Sequence, residues 1–277
     1  MGLKTQDLWF PPYPLLHTLL SENPILSGCL TNHMLLYPNF FTLAGNLPRR
    51  SLSSQSLGGF SLILESKNMT LGPILIMKAP GCKRPVKVKT IGSGNTFGSI
   101  AWTDGRCVAP MLPDNPWLRK SPSEGVLFWL DECKEIGQID RYGGRAGKPE
   151  WEELDYAEEP SEADYLAAIN SGIANTKKKL RYVRTRLWWT GNDRLRRNED
   201  ETSALPGVHV QNLLELAALL SNKDAEQRLM KAEIFRELSR FDDALKLLEG
   251  EFPDGYEHAV RRIRDLAASG NSRVAEL

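Results

Sequence analysis

TFGSIAWTDGRCVAPML, residues 96–112, decides the fold class of this chain. Two short apolar runs, TFGSIAW (96–102) and CVAPML (107–112), flank the tetrapeptide TDGR (103–106). An Asp-Gly pair between two such runs is a β-hairpin turn, because glycine accepts the left-handed backbone that the turn needs. Pro110 cannot donate to a ladder and keeps the second strand near an edge. Working outward, RPVKVKTIG (84–92) alternates apolar and basic residues, the pattern of a strand with one buried face. After the proline-rich link PDNPW (113–117), VLFWL (126–130) supplies a fourth strand. Residues 77–140 thus read as a small antiparallel β module, within an α+β chain.

The rest of the chain has helical periodicity. RYGGRAGKPEWEELDYAEEP (141–160) reads as a glycine-rich, then acidic, linker. Ser161 with Asp164 three residues later forms a capping box, opening a helix to about residue 174. A second helix is expected over about 176–190, with Leu180, Val183 and Leu187 on one stripe and Gly191 as its C-terminal cap. NDRLRRNEDETSALPG (192–207) reads as a polar loop. Three more helices are expected at about 208–222, 224–238 and 241–249, and a last one from Pro253 to near Gly270. Together, 161–277 forms the helical region.

Upstream, residues 1–76 carry only seven charged side chains, Lys4, Asp7, Glu22, Arg49, Arg50, Glu65 and Lys67, although a quarter of the whole chain is charged. The segment shows no sustained period and is expected to be poorly structured or outside the core. The formal net charge is zero, so no overall field favours nucleic acid or an anionic membrane. No uninterrupted apolar window of about 18 residues suggests a membrane span, and the proline-broken start LWFPPYP lacks the build of a signal peptide. Cys29, Cys82, Cys107 and Cys133 are scattered, which points away from a disulfide framework and towards a reducing cytoplasm.

Two turns resemble zinc knuckles of the form C-P-x-C-G. APGCK (79–83) and SPSEG (121–125) each keep the proline and precede a strand, but the four ligand positions hold Ala79, Cys82, Ser121 and Glu124. Alanine cannot bind a metal and serine is a poor ligand at neutral pH, so these positions are vestigial and no structural zinc or other cofactor is expected. Trp102, Trp117, Phe128 and Trp129 are expected to form an aromatic core in its place. SGNTFGSIAWTDGRCVAPMLPD (93–114) and PWLRKSPSEGVLFWLDE (116–132) resemble a group of uncharacterised bacterial proteins. These join a zinc-ribbon-like module to a tetratricopeptide-like (TPR-like) helical region. The resemblance covers about residues 77–277. It implies zinc where the cysteines are kept, and it brings no activity with it.

Ala232, Phe235, Ser239, Phe241, Ala244 and Leu248 follow the tetratricopeptide spacing, in which small residues let two helices approach and aromatics fill the groove beside them. Helical grooves of this kind bind peptides or proteins, and the candidate surface is Arg228, Phe235 and Phe241 with Trp188 and Trp189 nearby. Phe241 is expected to fill the core and Arg228 to serve binding alone. The alternative is a nucleic-acid-binding accessory protein, using Lys177, Lys178, Arg181 and Arg184 of the basic run KKKLRYVRTR (177–186) and the edge of the β module. Eight acids between 150 and 164 are expected to neutralise that run instead. The glycines of GSGNTFGS (92–99) are misspaced for a phosphate loop. His17, His33, His209 and His258 show no metal spacing, so catalysis is not expected.

Overall fold

The structure, a computed structural model, describes residues 69–141, 147–197 and 205–277. The expectations for residues 1–68, including Cys29, His17 and His33, lie outside the described residues. The low-charge segment nevertheless ends too late in the sequence reading. Its last residues belong to β1 (Thr70–Lys78), the central strand of a sheet ordered β2-β1-β7. Ile76 on this strand is completely buried.

A proline inside a central strand argues against a strand on sequence grounds. Here Pro73 is stepped over: the register with β2 (Val86–Ser93) shifts between Leu71 and Ile74, and the Pro73 carbonyl accepts a 2.6 Å hydrogen bond from the Thr90 hydroxyl. Gly72 beside it has no room for a side chain, since a Cβ would lie 2.3 Å from Thr90 Oγ1. The third strand, β7 (Lys134–Ile139), pairs with the other edge of β1 and was not expected either. It is mostly exposed and has little apolar alternation to betray it.

The Asp-Gly hairpin forms as expected, but its strands are short. β3 (Ile100–Ala101) pairs with β4 (Cys107–Val108), and Gly105 takes the left-handed conformation at φ 79°. A second ladder joins β5 (Leu118–Lys120) to β6 (Leu127–Trp129). The acidic stretch before Ser161 is no free linker. Lys87 exchanges backbone hydrogen bonds with Asp155 and Ala157, each 2.8 Å, and Lys120 does the same with Glu158. Residues 155–158 therefore stitch the β2-β1-β7 sheet to the β5–β6 ladder.

Six α-helices follow among the described residues: α1 (Glu162–Asn170), α2 (Lys177–Arg196), α3 (Gly207–Leu219), α4 (Ala225–Glu237), α5 (Phe241–Leu248) and α6 (Glu257–Ala268). Both halves of the Ser161–Asp164 capping box are made. Gly191 does not end α2, which continues to Arg196. The glycine instead gives clearance to the neighbouring chain, because a Cβ there would come within 2.6 Å of the His209 imidazole. Likewise α6 begins at Glu257, the Pro253–Tyr256 stretch forming a turn before it. Between α4 and α5, Ser239 occupies the turn position in the left-handed region at φ 59°, a conformation that glycine adopts more readily.

The β module and the first helices share one core. Trp117 and Trp129 pack with ring centroids 4.6 Å apart, and Tyr182 of α2 stands edge-on to both at 5.6 and 5.8 Å. The Trp117 amide donates to the Tyr182 hydroxyl at 2.7 Å, and the Trp129 indole donates to the Ile173 carbonyl at 3.0 Å. Phe128 joins this cluster, but Trp102 does not; it lies by the hairpin under the Arg196 guanidinium. A second core gathers Trp188, Leu213, Leu216 and Ile234, and a third gathers Ala232, Leu248, Val260 and Ile263.

Candidate functional site

The two knuckle-like turns come together. Gly81 and Gly125 are both left-handed, at φ 78° and 67°. The Glu124 carboxylate reaches across and accepts the Lys83 amide at 2.9 and 3.1 Å and the Arg84 amide at 3.2 Å. Those amides would face a metal-bound thiolate in a ligated knuckle, and here they satisfy a carboxylate. Burial, partly opposed by the adjacent Ser121 hydroxyl and reinforced by Glu124, pushes the Cys82 thiol above its usual range. Burial also pushes the Cys133 thiol up to about 12. A site with one protonated thiol, a buried serine hydroxyl, an alanine and an already occupied carboxylate does not fit zinc. Among the described residues, no group of three or more His, Cys, Asp or Glu side chains is placed to hold a metal ion. Among the described residues, Cys82 and Cys133 are free thiols.

The residues expected to form a helical groove are largely engaged within the fold. Arg228 stacks over the Phe252 ring at 4.2 Å and donates to the Glu251 carbonyl, clamping α4 to the segment between α5 and α6. It has a structural role and does not serve binding alone. Phe235 lies beneath the Arg240 guanidinium at 4.3 Å and packs on the second core. Phe241 is half-buried beside Gly270. Trp188 is 1% exposed, its indole donating to Glu237 at 2.7 Å. The Trp189 indole donates to the Asp104 carbonyl at 3.1 Å, anchoring α2 to the hairpin.

The basic run is also drawn inward. Arg184 is buried, ion-paired with Glu215 and bonded to Asn212 at 3.2 Å. Lys179 pairs with Glu132, and Arg186 with Asp114. Their partners are thus not the eight acids of 150–164; of these, Asp164 pairs with Lys120, Glu159 with Arg119 at 3.9 Å, and Glu162 meets the His209 imidazole at 3.1 Å. Lys177, Lys178 and Arg181 remain at the surface or half-exposed.

Sequence reasoning missed a buried polar joint between the hairpin and the helices. Asp104, at the hairpin turn, accepts from the Asn192 amide at 2.9 Å and pairs with Arg196. Asn192 also donates to Glu237 at 3.0 Å. Arg236, completely buried, is ion-paired with Glu233 and donates to the carbonyl of Asn271. Residues 275–277 close over the hairpin: Thr103 donates to the Ala275 carbonyl, and Leu277 to the Ala101 carbonyl, both at 2.9 Å.

Burial, with the charges of Glu233 and Asp104 adding to it, holds Glu237 well above its ordinary value of 4.5, against the indole of Trp188 and the charge of Arg236. A protonated Glu237 leaves the carboxylates of Asp104 and Glu233 balanced by Arg196 and Arg236. Because the folded pKa is raised, the stabilisation from this group is complete below about 4.5 and is lost as pH rises through the folded value. Urea unfolding of the natural chain and of Glu237→Gln at pH 5 and pH 8 is expected to show the variant gaining relative stability at the higher pH. An equal difference at both pH values would contradict this.

A cleft of about 560 Å3 opens beside the joint. One wall is the hairpin, with Arg106, Val108 and Pro110; another is the α2 face carrying Lys178, Arg181, Thr185 and Trp189. The third, from the end of α3 and the start of α4, carries Leu220, Glu226 and Met230. Burial and the neighbouring Asp224 raise the Glu226 carboxyl pKa, and Arg181 opposes the rise.

No family model, curated protein or solved structure matches the chain. No described helix is long and apolar enough to cross a membrane. The cleft escaped sequence reasoning because its walls come from segments spread over more than 100 residues, with no motif that links them.

Proposed function

We propose that the chain is a non-enzymatic, cytoplasmic protein-interaction module, a metal-free counterpart of a zinc ribbon carried on a TPR-like helical half. The knuckle-like turns facing each other through Glu124 support the ribbon reading. The complete burial of Ala232 on α4 and Ala244 on α5, the two small-residue positions of the pattern, supports the tetratricopeptide reading. The observation that carries the function is the cleft, whose 560 Å3 falls within the roughly 300–1,000 Å3 of ordinary binding sites. Its position also suits a binding role. It lies between the β module and the helices, with Tyr182 of its α2 wall in the Trp117–Trp129 core and Leu220 and Met230 on the second core, so these walls are pre-organised and little ordering accompanies binding.

Val108 is 45% exposed on the cleft wall and can be changed without opening a core. Selection of random peptides on the immobilised full chain is expected to enrich sequences that bind saturably and are lost with Val108→Glu. Enrichment of nothing, or of peptides that bind Val108→Glu equally well, would refute a peptide-binding cleft.

A further inference from the structure

Along α2, Lys178, Arg181, Thr185 and Trp189 stand at separations of three, four and four, so all of them face the cleft as one stripe. The cations around this cleft differ in how they are satisfied. Arg186 is paired with Asp114, and Arg106 with Asp193. Among the described residues, neither Arg181 nor Lys178 makes an ion pair within 4.0 Å or a hydrogen bond, and the Lys178 ammonium lies over the Trp117 ring at 5.2 Å. Two cations one helical turn apart are thus left facing a cleft whose opposite wall offers the aliphatic side chains of Leu220 and Met230.

Resting on the protein-binding reading above, we infer that the cleft takes an extended peptide of acidic and aliphatic residues, its carboxylates held by Lys178 and Arg181 and its aliphatic side chains set against Leu220 and Met230. The charge pattern selects a peptide over a polyphosphate chain. Glu226 lies close to Arg181 and to Asp224, and Asp224 and Glu159 line the same cleft. A continuous run of phosphates would meet these acids as well as the two cations, whereas carboxylates spaced along a peptide can reach the cations alone. An extended peptide also turns alternate side chains to opposite sides, which matches a basic stripe facing an apolar wall.

The probe is a fluorescein-labelled octapeptide of alternating glutamate and leucine, read by fluorescence anisotropy on the full chain, with a lysine–leucine octapeptide as its counterpart. The glutamate peptide is expected to bind saturably, more weakly as salt is raised, and at least tenfold more tightly than the lysine peptide. The Lys178→Glu/Arg181→Glu chain is expected to reverse that preference. Arg181→Gln alone should weaken the glutamate peptide several-fold. All variants should retain the natural helical circular dichroism, because neither side chain holds the fold by a hydrogen bond. Failure of the glutamate peptide to bind, or an unchanged preference in the charge-reversed chain, would overturn the inference. If peptides selected at random still bind and are lost with Val108→Glu, the acidic specificity falls while the interaction module stands; if these fail too, both fall.

Discussion

Replacing Ala79, Ser121 and Glu124 together by cysteine is expected to yield a chain that binds one zinc ion per molecule and unfolds when a chelator removes it. The natural chain is expected to contain no stoichiometric zinc and to melt identically with and without chelator. The amides of Lys83 and Arg84 already point at an anionic group in the fourth ligand position. A thiolate there would inherit the same donors, and the Cys82 thiol sits beside Ser121 and Glu124, within the cluster that the new cysteines would complete. Four thiolates on two knuckles would make the closed tetrahedral set of a structural zinc site, and metal bound only by the folded state stabilises it by mass action. At free zinc about a thousandfold above the dissociation constant, that contribution is about 4 kcal/mol. Elemental mass spectrometry and thermal unfolding measure both effects. If the triple variant folds without binding zinc, the turns are not knuckles and the ribbon reading goes with them. If the natural chain carries one zinc, Glu124 is acting as a ligand and the metal-free reading is wrong.

Local chemistry made some of this architecture legible and long-range chemistry hid the rest. The hairpin at Asp104 and Gly105 and the capping box at Ser161 each depend on a few adjacent residues, and each is where the sequence places it. β1 was missed because its signature is suppressed: Pro73 interrupts the run and no polar alternation marks a strand that packs in the middle of a sheet. Gly191 was misread because a glycine that ends a helix and one that admits a neighbour look alike until His209 is seen beside it. The same ambiguity governs charges. Arg184 and Lys179 resemble a solvent-facing basic stripe until Glu215 and Glu132, 31 and 47 residues away, are found against them. Arg228 looked available for a partner because its own partners, Phe252 and the Glu251 carbonyl, belong to a segment with no motif.

Arg236→Met is expected to be among the most damaging single substitutions in the helical half, costing about 3–5 kcal/mol. Arg236 is completely buried, pairs with the equally buried Glu233, and joins α4 to the chain beyond α6 through the Asn271 carbonyl. Methionine matches much of the packing but leaves the Glu233 carboxylate without its cation, next to Glu237 and Asp104. The loss therefore comes mainly from an uncompensated buried charge and much less from a missing attraction. That distinction can be measured. Since a buried pair replaced by apolar groups is often nearly neutral, the double variant Arg236→Met/Glu233→Leu should recover most of the stability lost by Arg236→Met. Urea unfolding of the natural chain, both single variants and the double variant closes the cycle. Losses that simply add would mean that the two side chains do not act as a pair. Recovery in the double variant would place the importance of this joint in charge balance, with Arg196 and a protonated Glu237 completing it around the hairpin that also walls the cleft.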